Sequence, residues 1–200
     1  MSPNWRQQLA DYIRAQAQPV DKFSHQPRLY ALACELAEGF SLDDDILYAA
    51  CWLHDLGVFI GHRPEDPAQL ATWDNVAYAI AQTPPLLQRF GFPADKIAAV
   101  QAAIRDHHPQ ARPTALEAIL LHDADLLELL GAVGLLQTLG KVGRNTRYQT
   151  FADLLPVLEG YSRLDAELLS DKARQLAEPR LALLRQFLQQ AREESQGLPL

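Results

Sequence analysis

The segment Ala49-Ala50-Cys51-Trp52-Leu53-His54-Asp55-Leu56-Gly57 runs from five apolar residues into a His, a carboxylate and a glycine. Ala49 to Leu53 are apolar on every side, which predicts a helix buried all round. A His-Asp pair at the end of such a helix is costly unless something satisfies it. Gly57 suits a helix stop that needs a positive φ. At about 100° per residue, His54 and Asp55 point in different directions on a helix. They converge on one ion only if it lies beside the helix end. A divalent metal accounts for the pair, since imidazole nitrogen and carboxylate oxygen are both good ligands. The plainer reading is a His at a helix end with Asp55 turned to water.

The rest of the chain bounds the problem. Its 200 residues, 48% of them hydrophobic, suit one all-α domain over residues 1–200 with a sizeable core. A formal net charge of -7 argues against a partner that is a nucleic-acid polymer or an acidic membrane. Cys34 and Cys51 both fall inside apolar helical patterns and read as buried thiols in a reducing compartment. The polar N-terminal stretch lacks the apolar run of a signal peptide, and no run is long enough to span a bilayer. A cytoplasmic protein is the expectation.

Helical periodicity dominates and no convincing alternation marks a strand. A first helix is predicted from Asn4 to Gln18, stopped by Pro19, with Trp5, Leu9, Tyr12 and Ile13 on one face. A second is capped by Asp21 or Ser24, carries Leu29, Leu32, Ala33, Leu36 and Ala37, and ends at Gly39. Ser41 and Asp44 resemble a capping box for the helix that ends at His54-Asp55. A loop is expected from Leu56 to Gln69, then a helix from Thr72 to Ala81, broken by Pro84-Pro85. Pro93 opens a helix ending at Asp106-His107-His108-Pro109, and Pro113 opens another through Asp125. Gly131, Gly134, Gly140 and Gly143 loosen the following stretch. The last predicted helices are Thr150 to Glu159 and Leu164 to Glu193, the second kinked or divided by Pro179.

Four polar residues fall where these helices otherwise show core pattern: His25, His54, Asp55 and Asp125. Asp125 is the most telling, because a carboxylate within Ile119-Leu120-Leu121-His122-Asp123-Ala124-Asp125-Leu126-Leu127 needs a partner if it is buried. Its alternative is a polar surface face shared with Glu128.

The order His, His-Asp, Asp resembles the HD superfamily of metal-dependent phosphohydrolases. The resemblance rests on His25-Gln-Pro-Arg28-Leu-Tyr-Ala-Leu-Ala33, on Ala49 to Gly57, on Ile104-Arg-Asp-His107, and on Asp123-Ala-Asp125 through Gly134. It covers about residues 21–135. It implies an HD-type helical domain with metal ligands His25, His54, Asp55 and Asp125. Asp123 is the rival for the last place. Two residues apart on a helix point about 200° apart, so only one reaches the ion; Asp123 then lies outside the ligand shell or at the surface.

The resemblance further implies one divalent metal ion, with a second possible, and a small phosphorylated substrate, a nucleotide foremost. Two nitrogens and two oxygens do not choose among Mn, Fe, Co, Ni, Zn and Mg. The implied reaction is hydrolysis of a phosphate ester or anhydride by a metal-activated water, with Asp55 accepting its proton. His107 is the candidate to protonate the leaving oxygen, set against an ordinary His at a helix C-terminus. Arg28, Lys141, Arg144 and Arg147 are candidates for phosphate binding, set against salt-bridged or solvated surface.

The chain also departs from the pattern. Asp21 stands where close relatives often carry a further His, Trp73 and Asp74 stand near where another His opens the helix after the loop, and Gln137 replaces an Arg. These changes leave the substrate and a second metal open. Two other readings therefore stand beside hydrolysis: an HD-fold di-iron oxygenase, with His107 and His62 as its only candidates for extra ligands, and a non-catalytic nucleotide-binding module.

Overall fold

A computed structural model describes residues 4–144 and 148–198. The fold is all-α: the described residues form α-helices and short 3-10 turns with no strand, and Ile60 and Arg63 pair in an isolated bridge. The chain divides into two compact units, Met1–His122 and Asp123–Leu200.

The first unit holds α1 (Trp5–Gln16), α2 (His25–Leu36), α3 (Asp44–Leu53), α4 (Pro67–Ala71), α5 (Asn75–Phe90), α6 (Ile97–Arg105) and the start of α7 (Leu116–Glu128). Helix α3 lies at its centre, against α1, α2 and α6. Ala49, Ala50, Cys51 and Leu53 are fully buried and Trp52 nearly so, as an all-round apolar helix requires. Its N-terminus is made by three consecutive aspartates. Asp43 is the cap, with its side chain accepting from the backbone of Asp45 and Ile46. Ser41 is not the cap; the short Asp carboxylate next to the first turn is among the best N-caps. Around them, Arg6 pairs with Asp44 and Asp45, and Lys96 with Asp43 and Asp45. The Arg6 hydrogen bond holds the Asp45 carboxyl below its ordinary range.

Several expected boundaries shift, each for a physical reason. Ser24 precedes α2, but neither it nor Asp21 caps the helix through its side chain; the Ser24 hydroxyl donates to the Asp21 carbonyl inside a 3-10 turn over Val20–Ser24. The expected loop contains α4, started by Asp66, whose side chain accepts from Gln69 N, with Pro67 at the first helical position. Helix α5 continues through Pro84 and Pro85. Pro84 lacks the N–H that would reach the Ile80 carbonyl, and the Gln101 side chain donates to that carbonyl instead, at 2.9 Å.

Gly57 is not a left-handed helix stop. It sits in a 3-10 turn over Leu56–Val58 and is absent from the positive-φ residues. Its missing side chain serves a close approach: a Cβ there would lie 2.4 Å from the Asn75 carbonyl oxygen.

The second unit comprises the end of α7, α8 (Gly131–Leu139), α9 (Leu155–Tyr161) and α10 (Asp171–Glu194). The stretch expected to be loosened by glycines is helical as α8, where Gly134 is required because a Cβ would meet the Leu129 carbonyl at 2.1 Å. Helix α10 packs on α8 and α9 through Ala173, Ala177, Leu181, Leu184 and Leu188. It runs unbroken through Pro179, and starts at Asp171, later than the Leu164 expected. Ser170 caps it by accepting from Ala173 N.

Candidate metal centre

Helix α3 stops at Leu53, so His54 and Asp55 lie on the turn that leaves it rather than on its regular surface. Asp55 has φ -99° and ψ 12°. That departure brings both side chains to one place. His54 Nε2 lies 3.9 Å from one Asp55 carboxylate oxygen, and His25 Nε2 lies 4.0 Å from the other. The two imidazole Nε2 atoms are 3.2 Å apart. His54 is fully buried, His25 nearly so, and Asp55 is half-buried.

The hydrogen bonds define the ring chemistry. His54 Nδ1 is 3.0 Å from the Cys51 carbonyl oxygen. A carbonyl only accepts, so Nδ1 carries the proton and Nε2 of the neutral ring carries a lone pair. His107 is held in the same manner, with Nδ1 2.6 Å from the Ile104 carbonyl oxygen at the end of α6. Its ring is buried and meets the His54 ring edge to face at 5.3 Å between centroids. His108 is exposed and stacks on His107.

These residues fit a divalent cation. Two nitrogens on one ion at the usual bond length of about 2.0–2.1 Å stand about 2.9–3.4 Å apart in octahedral or tetrahedral shells, and the observed separation is 3.2 Å. A carboxylate beside them supplies oxygen and negative charge. Backbone-anchored Nδ1–H groups are the usual support for metal-bound imidazoles.

The other expected site residues fall as follows. Arg28 is half-buried on α2, one turn after His25. In the second unit Asp125 is half-buried on α7, Lys141 is half-buried and Arg144 is exposed. Arg147 lies outside the described residues. Asp123 is not at the surface: it is fully buried, and its carboxylate accepts from Leu169 N, Ser170 N and the Ser170 hydroxyl at 2.8, 2.8 and 2.7 Å. The partners lie 46 and 47 residues further on, so nothing local in the sequence signals them.

His62 is fully engaged elsewhere. Nε2 lies 2.9 Å from Gln16 Oε1 and Nδ1 3.0 Å from the Tyr78 hydroxyl. Asp74 is the cap of α5, accepting from Val76 N and Ala77 N. Burial pushes the His62 pKa down from its ordinary value. The unfolded chain then takes up this proton first, so protons bound on unfolding exceed those bound when folded, and stability falls as pH drops below about 6.5. Thermal melts of wild type and His62→Gln from pH 8 to 5 are expected to show a smaller acid-side decline in the variant. Parallel curves would rule out this contribution.

The model of the HD domain family matches residues 23–130. The chain belongs to the HD domain family. No match is found among curated proteins. Among solved structures, a Lactobacillus plantarum protein is 22% identical, with 98% of this chain and 99% of that chain covered at a TM-score of 0.72. A Bacillus thuringiensis HD-superfamily hydrolase is 20% identical, with coverage of 96% and 97% and a TM-score of 0.67. Bacillus subtilis YpgQ in complex with ADP is 20% identical, with coverage of 96% and 98% and a TM-score of 0.66. At these identities the likeness is one of fold. No helix among the described residues is long and apolar enough to cross a membrane.

Proposed function

We propose that this protein is a metal-dependent phosphohydrolase acting on a small phosphate ester or anhydride, a nucleotide foremost. The observation that carries the reading is the His25–His54 pair, with Nε2 atoms 3.2 Å apart and the Asp55 carboxylate within 4.0 Å of both. His25, His54 and Asp55 hold the cation, and Asp125 completes the set as the family pattern implies. When bound, a divalent cation supplies charge that neutralises a phosphoryl oxygen and acidifies a water.

The chain's own groups do the rest. The Cys51 and Ile104 carbonyls fix the tautomers of His54 and His107. Asp55 accepts a proton from the attacking water. His107, with its Nδ1–H held by Ile104, donates from Nε2 to the leaving oxygen only as the imidazolium, and is left as the neutral ring. Arg28, Lys141, Arg144 and Arg147 offer positive charge to phosphate oxygens. The complex of Bacillus subtilis YpgQ with ADP supports a nucleotide as the first substrate class to try. The engagement of both His62 nitrogens weighs against the di-iron reading, which needed it as a ligand.

Purified protein loaded with Mn or Co, its metal content measured, is to be assayed against nucleotides, pyrophosphate and generic phosphate esters. Phosphate or pyrophosphate release is the expected result. No release from any of them with metal demonstrably bound would sink the hydrolase reading, and two irons per chain with oxygen uptake would replace it.

A further inference from the structure

Trp73 stands two residues before the start of α5. Its indole N–H donates to the Gly57 carbonyl at 2.8 Å. Gly57 lies two residues after Asp55 and is pressed against Asn75, where a Cβ would be 2.4 Å from the carbonyl oxygen. The turn that carries Asp55 and the start of α5 are thus clamped together at two points.

Behind Trp73 the aromatic rings continue in contact. Trp73 meets Tyr78 at 5.3 Å between centroids, Tyr78 meets His62 at 5.7 Å, and His62 meets Phe59 at 6.1 Å. His62 is tied at both nitrogens, one of them to the Tyr78 hydroxyl. Phe59 is fully buried, whereas Trp73 is half-buried. The result is a row of rings whose foundation is in the core and whose Trp end keeps part of its surface in solvent while bonded to the turn that carries Asp55. A tryptophan with its polar edge tethered and its ring braced loses little conformational freedom on binding a flat partner.

We infer that Trp73 is a stacking residue for the base of a nucleotide substrate, which makes it a determinant of specificity rather than of the chemical step. The inference rests on the nucleotide reading above. Stacking suits this role because every base offers a π-face, so an aromatic ledge selects nucleotides over base-free phosphates without choosing strongly among bases.

The test uses two non-hydrolysable probes with the metal-loaded full chain: α,β-methylene-ADP, and methylenediphosphonate, which has no base. Calorimetry of Trp73→Ala is expected to show roughly 10-fold or greater loss of affinity for the nucleotide probe and no change for methylenediphosphonate. Trp73→Phe, which keeps a ring but loses the bond to Gly57, retains most of the nucleotide affinity. The nucleotide probe quenches indole fluorescence in wild type, and this quench disappears in Trp73→Phe. Equal weakening of both probes in Trp73→Ala, no weakening of either, or no nucleotide binding to wild type would overturn the proposal. Because these are binding measurements, the stacking role survives if no substrate is hydrolysed; and if hydrolysis proceeds while Trp73→Ala binds as wild type does, the stacking role alone fails.

Discussion

Asp125→Ala is expected to lose the divalent cation, and with it all turnover, while its metal-free form unfolds close to the wild-type midpoint. Removing an outer-shell partner of a metal ligand typically weakens affinity about 10–100-fold. If Asp125 belongs to the proposed four-member set, removing it should exceed that. Asp125 is half-buried on α7, so truncating it removes little packing, and the metal-free cost should be about 1 kcal/mol or less. Metal binding to the folded state alone stabilises by mass action, about 2.7 kcal/mol when free metal stands at 100 times Kd. Adding Mn or Zn should therefore raise the wild-type melting temperature and leave Asp125→Ala unmoved. His54→Ala should lose the metal-induced rise too, but it also empties a fully buried position and should melt lower without metal. Full metal occupancy in purified Asp125→Ala would remove this residue from the ligand set.

The sequence makes the centre of the first unit legible because its signals are local. Five successive apolar residues declare that α3 is buried, and the His-Asp pair at its end has few ways of being tolerated there. The caps and breaks are less legible, because they are settled by partners far along the chain. Pro84-Pro85 reads as a helix break until Gln101 is seen donating to the Ile80 carbonyl. Gly57 reads as a left-handed stop, whereas its backbone meets Asn75. Ser41 reads as a cap because the spacing fits, but Asp43 lies nearer the first turn and accepts from two of its orphan amides. Trp73 carries no motif at all; only its bond to the Gly57 carbonyl ties it to the turn after Asp55.

Asp123 is the sharpest case, and its replacement should have the largest effect on stability. On the sequence it competes with Asp125 as a ligand, because both sit in one Asp-Ala-Asp run. In the fold its two oxygens receive three donors from Leu169 and Ser170, immediately before α10. Ser170 in turn caps α10 by accepting from Ala173 N at 3.2 Å. Asp123 thus orients the residue that starts the longest helix of the second unit. Hydrogen bonds to a charged acceptor contribute about 1.5–3 kcal/mol each, and buried donors left without one are costly. Asp123→Ala strands three at once, so a loss of about 3 kcal/mol or more is expected, a large part of the roughly 5–15 kcal/mol that holds a domain folded. Asp123→Asn keeps one acceptor oxygen and turns an amide N–H toward backbone donors, so it should fall between. Ser170→Ala loses both the N-cap, worth about 1 kcal/mol, and the hydroxyl bond to Asp123, so it should cost about 2 kcal/mol or more. In a double-mutant cycle the Asp123 and Ser170 losses should not add, because they share a hydrogen bond. Urea unfolding of the metal-free variants reads these differences without interference from the metal. Metal content measured on the folded fraction at low temperature should stay near wild type in Asp123→Asn. A stable Asp123→Asn protein that has lost its metal would reverse the roles of the two aspartates.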